Sequence, residues 1–95
     1  MVLTNGGNLG IGELSPGFPL NFASILGDKI SLYGNSGSSY GFGIQPNTLQ
    51  VHSDMQGSDI AFGYGNSKTF VERMRIKGNG MVGIGLSNLT EQLHI

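Results

Sequence analysis

The carboxylates that invite a search for acid–base chemistry are Asp28, Asp54, Asp59 and Glu72. Asp54 and Asp59 flank a turn at Gly57. Two carboxyl groups facing across a turn are what glycoside hydrolysis requires, one as acid and the other as base or nucleophile. Carboxylates beside Gly and Ser also cap turns by accepting backbone amides, and the four show no paired spacing. Imidazole occurs only at His52 and His94, and no Ser/His/Asp set can be placed around either. His52 lies in the strand-like Val51-His52-Ser53. Around a three-fold axis, copies of it would converge on a metal or an anion; in a single chain a strand histidine is hydrogen-bonded or solvated. Gly83-Ile84-Gly85 lacks the further glycine, the Lys and the opening helix of a phosphate cradle. The residues therefore predict no enzyme, no cofactor and no metal site. Aromatic rings offer a different chemistry. Tyr33, Tyr40 and Tyr64 stand beside Gly, Asn and Ser, where an exposed ring stacks on a sugar and its hydroxyl is free to hydrogen-bond. Phe42 and Phe62 share the inward parity of their strands and are expected in the core.

The elements that must carry these side chains follow from period-two alternation. Ile30 and Leu32 alternate with polar neighbours, and Tyr40, Phe42 and Ile44 with glycines. Leu49, Val51 and Ser53 share one face, with Thr48, Gln50 and His52 on the other. Ile60, Phe62 and Tyr64 repeat the pattern, as do Phe70, Glu72, Met74 and Ile76. Gly34-Asn35-Ser36-Gly37, Pro46-Asn47, Gln56-Gly57-Ser58, Gly65-Asn66-Ser67 and Gly78-Asn79-Gly80 punctuate them as turns. No stretch shows a helical apolar stripe; one helical turn is expected over 87–92, capped by Ser87 or Asn88. The fold class is all-β, built of short antiparallel strands and tight turns.

Composition narrows the function. Five basic residues against six acidic ones, a net charge of −1, leave no footprint for nucleic acid. No apolar run reaches the ~18 residues of a membrane helix, and 1–12 lacks the pattern of a signal peptide. Without Cys there is no disulfide frame or thiolate site. Gly, Ser and Asn fill 35 of the 95 positions. Ordering 17 glycines costs about as much as the whole stability of an ordinary domain, and so short a chain buries a smaller share of its surface than a large one. Identical neighbouring chains are the readiest source of the missing buried area.

A repeat supports that expectation. Residues 1–12 (MVLTNGGNLGIG) align without gaps on 74–85 (MRIKGNGMVGIG), and at the same offset of 73 Leu20-Asn21-Phe22 meets Leu93-His94-Ile95. The chain thus reads as a single repeat domain over 1–95: a junction motif at 1–12, a body at 13–73, and a second junction at 74–95 where the next repeat starts. In Gly-Ile-Gly the glycines admit close backbone approach while one side chain fills a shared centre; in a monomeric sheet the same glycines would mark bulges.

Residues 80–95 (GMVGIGLSNLTEQLHI) resemble the "GNVGIGTTSPTEKLHV" element of phage tail fibres and related long surface proteins of bacteria and large algal viruses. Residues 7–16 resemble it too, keeping Ser15-Pro16, and Glu72-Arg73-Met74-Arg75-Ile76 resembles the ERMRI segment that precedes it. Glu13 and Leu86 replace the small Thr of the element, and Leu89 stands where the first copy has Pro16. The resemblance implies an intertwined parallel homotrimer, a β-sandwich or β-prism-like unit of a fibre. Gly10, Ile11, Gly12, Gly83, Ile84, Gly85, Leu20 and Leu93 would lie along its axis and junctions. It further implies a structural and adhesive module on a virion or cell surface, whose partners are itself and neighbouring repeats. The alternatives are a carbohydrate-binding module that grips cell-surface polysaccharide through Tyr33, Tyr40 and Tyr64, and a glycan-degrading domain.

Overall fold

The computed structural model of the protein describes residues 1–35 and 37–85. Nine strands form among the described residues, in chain order: β1 (Val2–Leu3), β2 (Leu9–Ile11), β3 (Leu20–Phe22), β4 (Gly27–Asn35), β5 (Ser38–Gln45), β6 (Thr48–His52), β7 (Ile60–Tyr64), β8 (Val71–Ile76) and β9 (Val82–Ile84). The described residues contain no helix; the helical turn expected over 87–92 lies outside them. The chain is all-β, and each of the five alternating segments is a strand. Three sheets of three strands result, in the orders β1-β2-β3, β4-β5-β6 and β7-β8-β9.

Two compact units contain these strands, one made of 1–30 with 42–50 and the other of 31–41 with 51 onward. The first sheet lies in the first unit and the third in the second, while β4, β5 and β6 each pass from one unit to the other.

Turn chemistry sets the connections. Pro46 presets the first central position of the β5–β6 turn and Asn47 takes φ 57°, as a type II turn demands. Between β8 and β9, Lys77 N–H donates to the Met81 carbonyl and Gly80 N–H to the Lys77 carbonyl. β7 and β8 pair antiparallel with a bulge at Phe62/Gly63. There the Val71 carbonyl lies where a Cβ on Gly63 would sit, 2.0 Å from it, so only glycine fits.

One pair departs from the antiparallel expectation: β2 and β3 run parallel, Leu9 opposite Leu20 and Ile11 opposite Phe22. Parallel neighbours ordinarily need a long crossover. These strands are only about 10 Å long, so the loop over 12–19 suffices to bring the chain back. It is tied down by Asn8 Nδ2 donating to the Pro16 carbonyl (3.2 Å), Gly17 N–H to Asn21 Oδ1 (3.0 Å) and Leu9 N–H to the Pro19 carbonyl (2.9 Å).

No hydrophobic side chain is buried among the described residues. The covered positions are Gly10, Pro16, Ser39, Gly41, Gly43 and Gly83. Phe42 and Phe62, expected in a core, are both exposed. Their inward parity presupposes a second layer, and among the described residues those faces remain open.

Candidate functional site

The two junction motifs have the same backbone. Thr4 N–H donates to the Asn8 carbonyl at 2.8 Å, and Lys77 N–H, 73 residues on, donates to the Met81 carbonyl at 2.8 Å. Gly7 and Gly80 take φ 88° and 93°, and Gly12 and Gly85 take 72° and 71°. Strand register matches too: Val2 opposes Gly10 as Arg75 opposes Gly83, and Leu3 opposes Leu9 as Ile76 opposes Val82.

Within this geometry the glycines have local tasks. Gly10 sits in regular register, not at a bulge, and is covered by the loop after it. A Cβ there would lie 2.1 Å from the Glu13 carbonyl oxygen and 3.3 Å from Pro16 Cγ. Gly12 and Gly85 turn the chain out of the strand through left-handed φ, a conformation costly for other residues. Gly83 is buried as well. The isoleucines between them are left in solvent, Ile11 partly and Ile84 at 66% exposure. Leu20, on β3, is exposed as well, and Leu93 lies outside the described residues.

In the first unit an apolar groove of about 740 Å³ opens between the 22–26 segment and strands β4 to β6. Phe22, Ile25, Leu26, Ile30, Phe42, Ile44 and Leu49 line it. Its one cation, Lys29, donates to the Ala23 carbonyl at 2.7 Å, which pins the segment while the apolar walls stay open. The alternation of β5 and β6 explains the opening. The side carrying Gly43 and Gln50 is the tighter one, since a Cβ on Gly43 would meet Gln50 Oε1 at 2.9 Å. The opposite side carries Phe42 and Leu49, the latter 72% exposed.

The tyrosines are placed differently from one another. Tyr33 is 77% exposed, and its ring meets Tyr40 edge-on at 6.1 Å. Tyr40 is half-buried, its hydroxyl donating to Ser58 Oγ at 3.2 Å. Tyr64 is exposed under the Arg73 guanidinium, 4.9 Å from ring centroid to Cζ. Tyr33 and Tyr40 thus form one aromatic pair, and Tyr64 stands in a separate cation–π contact.

The carboxylates act on turns and on a cation. Asp54 Oδ1 accepts the Ser58 hydroxyl at 2.6 Å. Asp59 accepts the Gly78 amide at 3.1 Å and Arg75 Nη1 at 2.6 Å. The Gly78 amide first, and then Arg75, hold the Asp59 carboxyl below its usual range. Glu72 is lowered by its hydrogen bonds from Arg75, at 2.6 and 2.8 Å, and Arg75 is raised in turn. A general acid needs its carboxyl shifted the other way. His52 is half-buried, and its Nδ1–H donates to the Ser39 carbonyl at 2.8 Å. No cluster of three His, Cys, Asp or Glu side chains placed to hold a metal occurs among the described residues.

Two features escaped the sequence reading. The Asp59–Arg75–Glu72 tie across β7 and β8 leaves only a faint trace in Glu72-Arg73-Met74-Arg75, since Asp59 is 16 residues from its partner. The groove is signalled only by Ile25-Leu26, an adjacent apolar pair outside any strand alternation. No family model, curated protein or solved structure matches the chain.

Proposed function

We propose that the chain is a structural and adhesive module of a fibre, working as a parallel homotrimer on a virion or cell surface. The observation that carries this reading is the open apolar surface: hydrophobic side chains line the groove of the first unit, yet none is buried among the described residues. Exposed apolar surface on this scale marks an interaction site, and association of identical chains is the commonest way to cover it. The matched backbones of 1–12 and 74–85 support a module that recurs along a stalk, each junction carrying the register into the next unit. Ile11 and Ile84, exposed between glycines, are the side chains placed to meet their counterparts at a shared axis.

Sedimentation equilibrium of the purified chain tests the reading. A trimer is expected, and a stable, cooperatively folded monomer at micromolar concentration overturns it. A second reading, compatible with the first, rests on the Tyr33–Tyr40 pair. One exposed ring braced edge-on by another is a platform for a sugar face, and the module would then also grip envelope polysaccharide. Glycan-array binding lost on Tyr33→Ala separates this gripping role from that of a bare spacer.

A further inference from the structure

Among the described residues, the second copy of the junction has a partner strand on an edge where the first has none. β8 is flanked by β9 on one edge and β7 on the other, whereas β1 pairs with β2 and, among the described residues, with nothing on its outer edge. Because Thr4 N–H donates to the Asn8 carbonyl, Thr4 and Val2 face β2, and antiparallel alternation turns the Leu3 N–H and C=O outward. Lys77 makes the corresponding bond to Met81, so Ile76 faces outward in the same way, and there it is opposed by Ile60. Side-chain exposure follows the partner. Met74 and Ile76, opposite Phe62 and Ile60, are half-buried. Met1 and Leu3, their counterparts 73 residues earlier, are 92% and 72% exposed.

We infer that the outer edge of β1 is a docking site for the β7 strand of a second copy of this repeat, placed one 73-residue period upstream. The strand pairs antiparallel, with Ile60 opposite Leu3, Ala61 opposite Val2 and Phe62 opposite Met1. The occupant is identified by the register: each β1–β2 pair recurs between β8 and β9 at the 73-residue offset, and the strand beyond β8 is β7. Val2 stands where Arg75 would be, so the ion pair to Asp59 is not reproduced. Recognition rests on the Leu3 backbone groups and on apolar cover of Met1 and Leu3, as in strand addition generally. Successive repeats are then joined by shared sheets rather than by flexible linkers. This rests on the tandem-module reading above.

The test uses the full chain and a tandem in which residues 1–73 precede the full chain. In the single chain the Leu3 amide is expected to exchange hydrogen as an open edge amide while the Ile76 amide is protected. In the tandem, exchange at the downstream Leu3 is expected to slow by about tenfold or more. Ile60→Pro in the upstream copy, which removes the N–H that donates to the Leu3 carbonyl and so breaks the strand pairing there, is expected to abolish the slowing. The downstream Ile76 amide reports in each case that the module is folded. Unslowed Leu3 beside a protected Ile76 in the tandem overturns the docking. Protection that grows with concentration in the single chain overturns the upstream assignment in favour of a separate copy. A monomeric tandem with a protected Leu3 refutes the trimer and leaves the docking standing; a trimeric tandem with an open Leu3 does the reverse.

Discussion

Gly10→Ala separates the local task of the junction glycine from any part it plays at an axis. The new Cβ would lie 2.1 Å from the Glu13 carbonyl oxygen, 3.2 Å from its carbon and 3.3 Å from Pro16 Cγ. Ordinary contact is at about 3.5 Å, so backbone atoms of the loop must retreat by about 1 Å or more. Overpacking of this kind costs about 1–3 kcal/mol. Restricting the unfolded chain with Ala returns about 0.4–1 kcal/mol, leaving a net loss of about 1–2 kcal/mol. For a domain of this size that lowers Tm by roughly 5–15 °C. The Asn8–Pro16 and Leu9–Pro19 hydrogen bonds, which tie the same loop, are expected to loosen with it. Gly57→Ala is the control, because nothing lies within 4 Å of its Cβ and its φ is not left-handed; its Tm is expected to hold or rise slightly. Thermal unfolding by circular dichroism is measured for both on the assembled protein, with sedimentation of the same samples. Equal Tm values for wild type and Gly10→Ala would show that the loop does not need the space. A loss of assembly with unchanged Tm would move the requirement to the axis.

Further outcomes follow from the other contacts. Asp59 and Glu72 have folded pKa values below their unfolded ones, so their contribution is present above about pH 4 and is lost as pH falls through the lower folded values. Urea midpoints are expected to drop across that acid range in the wild type and to depend less on pH in Arg75→Met; equal pH slopes would refute the tie. Leu49→Asp places a charge in the open groove. It is expected to raise the concentration needed for assembly at least about tenfold, since an unpaired charge is costly to bury. Sedimentation across a dilution series reads it, and an unaltered trimer would remove the groove from the interface. Gly83→Val, at a covered junction position, is expected to weaken assembly and lower Tm together; a variant unchanged in both would clear that position of any packing role.

Local order was legible in the residues because it depends on near neighbours. Alternation at Tyr40-Gly41-Phe42-Gly43-Ile44 and Thr48–His52 marks β5 and β6, since side chains in a strand must point to opposite faces. Pro46-Asn47 and Gly78-Asn79-Gly80 mark turns, since few residues tolerate the φ those turns require. The match of 1–12 with 74–85 was legible too, and the two backbones agree because the glycines shared at the same spacing admit the same left-handed turns. What covers each face was not legible. Phe42 and Phe62 have the parity of core residues, but parity names a face and not the layer upon it. The parallel β2–β3 pair, the loop over Gly10, and the meeting of Asp59 with Arg75 all depend on which distant segments share space. Sequence by itself determined the five alternating strands, the turns between them and the match of 1–12 with 74–85, whose causes are dihedral and steric and act within a few residues. The short strands β1, β2, β3 and β9 carried no alternation to mark them. Tertiary structure alone decided that, among the described residues, the apolar faces stay open and β1 keeps a bare edge, because burial and pairing are properties of neighbours brought together by the fold.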